Sequence, residues 1–282
     1  MPNYVEPFAG SLAVLLKRPH PPGIETVNDK DCMVANFWRA LQSDPDGLAR
    51  FADWPVNEAD LHARHLWLCG QEEFRERMKT DPDYYDVKIA GWWVWGLCCW
   101  IGGEWCVQRP NGNPSRRLPH LYRGMGVHRR RPHLSDAGMG VHRKRPNLGW
   151  GKGVHRQSLN GSGERSQALL EYFAALASRL RNVRVCCGEW DRVLGNTPTV
   201  KLGTTGVFLD PPYSRKAGRD TTIYAEENLD VAHAVREWAI ANGDNPLLRI
   251  ALCGYEGEHQ MPESWECVAW KAHGGYANQG NN

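Results

Sequence analysis

The stretch Gly206-Val207-Phe208-Leu209-Asp210-Pro211-Pro212-Tyr213 determines the fold and the chemistry that we expect of this chain. Its first four residues are an apolar run that predicts a short buried strand. A carboxylate, two prolines and an aromatic ring follow directly, at the edge where ligands bind in open α/β sheets. Neither proline has an N–H, so the turn is stiff and offers acceptors. These residues favour a receptor for a planar heterocycle with an exocyclic NH2, although Asp-Pro-Pro also closes strands without any ligand.

Three more turns follow predicted strands and hold residues suited to a nucleotide. The first, Glu6-Pro7-Phe8-Ala9-Gly10-Ser11, contains a glycine that permits close approach of a ligand to the backbone. The second ends in Asp29, about 20 residues further on, where an acid typically holds ribose hydroxyls. In the third, Gly188-Glu189-Trp190, the acid could accept from an adenine amino group and the indole could flank the ring. Each is also a plain strand-end turn, but their joint order favours a nucleotide site.

Strand-like and helix-like segments alternate on either side of a long interruption. Strands are predicted at 4–5, 25–27, 183–187, 207–209, 249–253 and 267–270, and helices at 12–17, 31–42, 88–100, 164–180 and 229–241. This alternation predicts an α/β fold with a Rossmann-like sheet formed by residues 1–50 and 164–282. Residues 51–163 are interpreted as an inserted domain. The aromatic stripe of the tryptophan-rich helix at 88–100 is interpreted as core packing.

Part of the interruption is basic, glycine-rich and repetitive. Gly-Met-Gly-Val-His-Arg occurs at 124–129 and 138–143, and a variant occurs at 151–156. Eleven Lys and Arg residues lie between 116 and 156, with Asp136 as the one acidic residue. A solvated surface could also be basic, but these coinciding features favour contacts to a nucleic-acid phosphate backbone. The residues predicted to make them are Arg116, Arg117, Arg123, Arg129, Arg130, Arg131, Arg143, Lys144, Arg145, Lys152 and Arg156.

Composition limits the class of protein. The chain has 282 residues, a hydrophobic content of 41% and a formal net charge of +2, which suit one large or two modest domains with a real core. Nine cysteines without a Cys-x-x-Cys pair predict reduced thiols, no zinc knuckle and no metal site. The N-terminus lacks the features of a signal peptide, and the longest apolar stretch, 89–101, is too short to span a bilayer. We expect a cytoplasmic protein without a membrane partner; its oligomeric state is open.

The motifs together resemble those of a known family. The Glu6-Pro7-Phe8-x-Gly10 turn, Asn28-Asp29 and Asp210-Pro211-Pro212-Tyr213-Ser214 are similar to motifs of the D12-class, Dam-like DNA adenine N6-methyltransferases. Ile223-Tyr224-Ala225-Glu226-Glu227 is similar to a segment of bacteriophage members. The resemblance covers residues 3–40 and 165–282. It implies S-adenosylmethionine (SAM) as cofactor, double-stranded DNA as partner, restriction–modification as a setting, and the cytoplasm of a bacterial or phage-infected cell as location.

The resemblance also implies roles for residues of this chain. The residues expected to be catalytic are Asp210, Pro211, Pro212 and Tyr213. The residues expected to bind SAM, including those proposed above from their turns, are Glu6, Pro7, Phe8, Gly10, Ser11, Asp29, Glu189, Trp190, Asp210, Trp270, Gly274, Gly275 and Tyr276. The Asp210 carboxylate and the Pro211 carbonyl would accept both N–H groups of a flipped adenine, and Tyr213 would stack on its ring. Direct methyl transfer from SAM to N6 is the expected reaction.

The chain departs from the family in three places. Leu12 stands where members usually have a second glycine in the first turn. The Trp-x-Gly-Gly-Lys/Tyr motif that usually begins the family sequence is absent there, and a similar string lies at 270–276. We interpret this as a circular permutation, the alternative being that Gly274-Gly275 belongs to a flexible tail. The basic repeats match no recognition domain, so no target sequence can be carried over.

Three other functions stay open. A cytosine N4-methyltransferase would use the same pair of acceptors, although Ser-Pro-Pro is commoner there. An RNA adenine methyltransferase is possible because the insert contains no helix that clearly fits a major groove. A non-catalytic nucleic-acid-binding protein with the same fold is favoured by one feature, Leu12.

Overall fold

Five parallel strands form the centre of the computed structural model, which describes residues 1–19, 23–100, 105–106, 162–195, 201, 203–212 and 231–270. They are β1 (Asn3–Glu6), β2 (Ile24–Asp29), β3 (Val183–Cys187), β4 (Thr205–Leu209) and β5 (Leu248–Leu252). Their order is β3-β2-β1-β4-β5, and every neighbouring pair is parallel. The predicted α/β class is therefore confirmed, and this strand order is compatible with a Rossmann-like fold.

Eight α-helices accompany the sheet in the described ranges. They are α1 (Ala13–Lys17), α2 (Cys32–Ser43), α3 (Pro45–Ala52), α4 (Glu58–Cys69), α5 (Glu72–Thr80), α6 (Val87–Cys99), α7 (Ser162–Leu180) and α8 (Val231–Asn242). Four of them begin after an Asp or Asn whose side chain accepts a hydrogen bond from a first-turn N–H, which satisfies an otherwise unpaired donor. These caps are Asp31, Asp44, Asn57 and Asp86.

The sheet is covered on both faces because successive side chains of a strand point to opposite sides. Tyr4 of β1 lies in a buried cluster with residues of α1, α2, α3, α6 and α7. Its neighbour Val5 lies in a second cluster with Val207, Leu209 and Val235 of α8. The sheet consequently lies between helices on both faces, as expected for a parallel sheet.

The predicted strands and helices agree with the structure except near the C-terminus. The predicted strand at 267–270 is wrong, because this segment has no regular secondary structure. Val268 is 72% exposed and Trp270 is 69% exposed. The segment is short and apolar, and such a run predicts burial only if a neighbouring surface covers it. Helices α3, α4 and α5 were not anticipated from the sequence.

Helices α4 to α6 share a core with the sheet domain. A third buried cluster joins Cys32 and Met33 of α2 to Leu68 of α4 and Ile89 of α6. Arg39 of α2, itself buried, donates to the carbonyl oxygens of Met78, Asp81, Tyr84 and Val185 at 3.1–3.3 Å. The stretch up to residue 100 therefore packs directly on α2. The division into a sheet domain (1–50 and 164–282) and a recognition insert (51–163) stays a prediction.

Candidate active site

The candidate site lies where the carboxyl ends of the strands meet, next to the switch point of the sheet. β1 pairs with β2 on one side and with β4 on the other. The chain adds β2 and β3 on one side of β1 and then crosses over to add β4 and β5 on the other side, which makes β1 the switch point. In open α/β sheets ligands bind in the crevice outside the carboxyl ends at such a point. The predicted turns after β1, β2, β3 and β4 are all brought to this edge.

The turn after β1 contains two left-handed residues. Gly10 has a φ of 46° and Leu12 a φ of 54°. Leu12 thus adopts the conformation for which a second glycine would be favoured, and its side chain is almost fully buried. No atom lies within 4 Å of the position of a Cβ added at Gly10, so there is open space beside its backbone. The turn therefore has a left-handed residue at position 12 although that residue is leucine and not glycine.

Asp29 joins this turn to the start of α2. One of its carboxylate oxygens accepts from the Gly10 N–H at 2.9 Å, and the other accepts from the Asp31 N–H at 2.9 Å. The Trp38 indole N–H donates to the Gly10 carbonyl oxygen at 2.9 Å. The side chain of Asp29 is only partly buried. It therefore fixes the glycine turn and still borders the crevice.

Asn28 ties the turns after β1 and β3 together. Its buried side-chain amide donates to the carbonyl oxygens of Pro7 at 3.1 Å and Gly188 at 3.0 Å. The backbone carbonyl oxygen of Asn28 accepts from the Ala9 N–H at 2.8 Å. The sequence analysis missed this bridging role, as it missed that of Trp38. The available signal was an amide near the end of a buried strand, where a polar group needs partners.

The turn after β3 places an acid and two aromatic rings at the same edge. Glu189 forms an ion pair of 2.8 Å with Lys30, and both side chains are largely exposed. Trp190 begins a short 3-10 helix, Trp190–Val193, and stacks on Phe8 with ring centroids 6.2 Å apart. Trp238 of α8 contacts the indole edge to face. Because the two stacked rings contact each other, a ligand ring could lie against them but not between them.

The residues after β4 present acceptors. The β4–β5 ladder extends to the Cys253 N–H, which donates to the Leu209 carbonyl oxygen at 2.8 Å. Asp210 directly follows and is exposed, whereas Pro211 is buried and Pro212 is half-buried. Burial, and to a lesser degree the Asp210 charge, raises the pKa of the Cys253 thiol to about 12. A carboxylate and a proline-rich turn therefore stand at the edge beside an un-ionised thiol.

Glu6 differs from the other predicted cofactor residues because its carboxyl group is buried inside the fold. It accepts from the Tyr4 hydroxyl at 2.7 Å and from the backbone of Leu15 in α1. Burial raises its pKa to about 7, and these two hydrogen bonds partly oppose the rise. Its side chain is thus occupied in stabilising the start of α1, and a contact with the cofactor stays a prediction.

For the remaining predicted site residues the structure gives burial alone, or no description. Pro7 is buried, Ser11 is exposed, and Trp270 is exposed in the irregular C-terminal segment. Tyr213, the segment 271–282 with Gly274, Gly275 and Tyr276, and all eleven basic residues between 116 and 156 lie outside the described residues.

No protein-family model matches the chain, and no curated protein is significantly similar to it. None of the helices in the described ranges has both the length and the apolar character needed to cross a membrane.

Proposed function

We propose that this chain is a SAM-dependent, site-specific DNA adenine N6-methyltransferase. The observation that carries the proposal is the common edge of the sheet. Asp210 and Pro211 follow β4, while the glycine turn held by Asp29 follows the adjacent β1. A nucleotide-like cofactor and an amino-bearing base could therefore be bound on either side of the switch point.

The residues on the β1–β3 side fit a nucleoside. The open space at Gly10 allows backbone approach, and the partly exposed Asp29 could accept from ribose hydroxyls. Glu189 could exchange its exposed ion pair with Lys30 for an adenine amino group, because such pairs contribute only about 0–1 kcal/mol. Phe8 and Trp190 offer aromatic surface for the cofactor's ring. When bound, SAM supplies an electrophilic methyl group on its sulfonium.

Asp210 and Pro211 prepare the acceptor nitrogen. The N6 lone pair of adenine is delocalised into the ring and is a poor nucleophile. Two acceptors that bind its two N–H groups favour a pyramidal nitrogen with its lone pair directed toward the methyl donor. The Asp210 carboxylate also stabilises the positive charge that develops on N6. It need not be a strong base, because the proton is lost after the nitrogen becomes cationic.

The same acceptors would serve a cytosine N4 amino group, so product analysis decides between the two bases. Unmethylated plasmid DNA would be incubated with the protein and methyl-labelled SAM, digested to nucleosides and analysed by mass spectrometry. N6-methyladenine is the expected product. N4-methylcytosine would support the second function, and transfer to RNA alone would support an RNA methyltransferase. DNA binding without either SAM binding or methylated product would support the non-catalytic protein.

The cellular setting belongs to the same proposal. A double-stranded DNA partner, base flipping, a cytoplasmic location and a place in restriction–modification are implied by the family resemblance.

Leu12 was the feature that favoured a non-catalytic protein. Because Leu12 adopts the left-handed conformation with a φ of 54°, the turn is preserved despite the substitution. This supports the catalytic alternative.

A further inference from the structure

The loop that follows β5 lies at the carboxyl edge of the sheet, and the proposed reaction leaves it without a role. We call residues 253–260 the β5 loop. Leu209 of β4 is in register with Leu252 of β5, and the Cys253 N–H extends this ladder to the Leu209 carbonyl oxygen at 2.8 Å. Asp210 therefore leaves the sheet beside Cys253, the first residue of the loop. Burial, and to a lesser degree the Asp210 carboxylate, raises the pKa of the Cys253 thiol, which agrees with this placement.

Hydrogen bonds within the β5 loop hold its backbone in a tight turn. The Glu258 N–H donates to the Tyr255 carbonyl oxygen at 3.0 Å, and the Tyr255 N–H donates to the Glu258 carboxylate at 2.9 Å. His259 Nε2 donates to the Cys253 carbonyl oxygen at 3.1 Å. The His259 ring packs so closely on Gly254 that a Cβ there would collide with it. The loop is closed on itself, so Tyr255 projects from a preorganised turn.

The chain that follows the β5 loop is anchored on the core. Trp265 packs against the buried cluster that contains Val207 of β4 and Val235 of α8. Its indole also lies against Gly243, the residue after α8, where an added Cβ would be 3.0 Å from the ring. The β5 loop is thus fixed at both ends, by the β4–β5 ladder before it and by Trp265 after it.

Exposure and charge together indicate which kind of ligand could contact this loop. Tyr255 is 45% exposed and Asp210 is exposed, so both are accessible to a ligand at the edge. Residues 253–270 contain four glutamates and no Lys or Arg, a balance that disfavours a phosphate group. A tyrosine offers a flat apolar face with a polar tip, which suits an uncharged planar ring. The ligand indicated is a neutral heterocycle rather than a nucleic-acid backbone.

We infer that the β5 loop forms the outer wall of the base-binding pocket and that Tyr255 stacks on the base. Asp210 and Pro211 would hold the amino edge of that base. Tyr255 would cover one of its two faces, and the other face is left for the stacking expected of Tyr213. Aromatic stacking accepts every base, so the choice of base stays with the two acceptors. The inference rests on the proposed function for one point, the identity of the ligand as a base of DNA.

The test measures binding of a free nucleoside rather than methylation. Deoxyadenosine would be titrated into the protein by saturation-transfer NMR, with excess S-adenosylhomocysteine, the demethylated form of SAM, occupying the cofactor site. Deoxyribose signals distinguish the two ligands. Tyr255→Ala should raise the dissociation constant of deoxyadenosine by about five- to a hundredfold, the range expected for the loss of one base–aromatic stack. Tyr255→Phe keeps the ring and should stay close to the wild type. Glu256→Gln, the exposed neighbour, is the matched control and should equal the wild type.

The outcomes separate this inference from the proposed function, which methylation of plasmid DNA tests independently. Equal affinity in wild type and folded Tyr255→Ala, or no binding of deoxyadenosine by the wild type, would overturn the inference even if DNA is methylated. Equal losses in Tyr255→Ala and Tyr255→Phe would also overturn it, because the ring would then contribute nothing. Binding that depends on the Tyr255 ring in a protein that methylates nothing would support the wall and reject the enzyme. Thermal melting monitors folding, and Tyr255→Leu replaces Tyr255→Ala if the latter fails to fold.

Discussion

The turns after β1, β2 and β3 are joined to one another by hydrogen bonds, whereas β4 is followed directly by the exposed carboxylate of Asp210. On the first side, which we call the cofactor side, Asp29 holds the Gly10 N–H and Asn28 bridges the Pro7 and Gly188 carbonyls. On the second, the acceptor side, the ladder ends at Leu209 and an exposed Asp210 follows. The cofactor side is thus preorganised by backbone contacts, while the acceptor side depends on one side chain and stiff prolines.

This difference predicts that substitutions on the two sides will have separable effects. Changes on the acceptor side should reduce methyl transfer far more than SAM affinity, even though Asp210 is also among the residues expected to contact SAM. Changes on the cofactor side should reduce SAM affinity or the stability of the edge itself.

The largest effect is expected at Asp210. Asp210→Ala removes an acceptor for the base and the negative charge that stabilises N6 in the transition state. Methyl transfer should fall by about 10²- to 10³-fold or more, by analogy with the loss of other preorganised electrostatic contacts. Initial rates with methyl-labelled SAM measure it. Asp191→Ala, an exposed acid in the short 3-10 helix, is the control. A variant that retains turnover would remove Asp210 from the mechanism.

The next effect is expected at Asp29. Asp29→Ala loses the hydrogen bonds to the Gly10 and Asp31 N–H groups and the proposed ribose contact. Hydrogen bonds to a charged group contribute about 1.5–3 kcal/mol each, so SAM affinity should fall by at least about tenfold. Calorimetric titration with SAM measures this. Asp29→Asn retains an acceptor and should lose less. Equal SAM affinity in wild type and Asp29→Ala would contradict the assignment of the cofactor side.

A smaller effect on stability is expected at Gly188. A Cβ there would collide with Arg192 Nη1, which donates to the Cys187 carbonyl oxygen at 2.8 Å. Gly188 also has a φ of 144°. Gly188→Ala should cost about 1–3 kcal/mol of unfolding free energy, measured by urea denaturation. Gly257→Ala is the comparison, because that glycine has a positive φ but open space around its Cβ position. Equal costs for both variants would show that the Arg192 contact adds nothing.

A stability effect of similar size, seen only as a change in pH dependence, is expected from Glu6. The pKa of Glu6 is about 7 in the folded protein and near 4.5 in the unfolded chain. Between pH 4.5 and pH 7 the folded protein therefore keeps a proton that the unfolded chain releases. The stabilisation is complete below pH 4.5 and is lost as the pH rises through 7. Glu6→Gln mimics the protonated group and should remove this loss, which is up to about 3 kcal/mol for a pKa raised from 4.5 to about 7. Urea denaturation at pH 5 and pH 8 tests it; identical pH profiles would contradict it.

The sequence predicted the strands of the sheet better than the contacts that organise its edge. Short strand-like runs bounded by turn residues predicted β1 to β5, and the run at β2 was recognised although Glu25 and Thr26 are polar. Asp29 and Asp210 were found because an acid immediately after such a run falls at the carboxyl edge. The bridges made by Asn28 and Trp38 were not found, since they join residues distant in the chain and depend on the register of β1, β2 and β3.

Two other regions show what local patterns cannot determine. The apolar segment 267–270 resembled a strand, but tertiary packing leaves Val268 exposed. The tryptophan-rich helix was interpreted as core packing, which holds for Trp95 but not fully for Trp92. Periodicity identifies the apolar residues of a helix without indicating which of them a neighbouring element covers. The roles of the basic repeats stay predictions.

A single-turnover experiment tests the central claim most directly, because it reads both sides of the edge at once. Wild type and Asp210→Ala would each be saturated with methyl-labelled SAM, separated from excess label, and mixed with adenine-containing duplex DNA. We expect both proteins to retain SAM and only the wild type to transfer label to form N6-methyladenine. Equal transfer by both proteins, or no retention of SAM by the wild type, would contradict it.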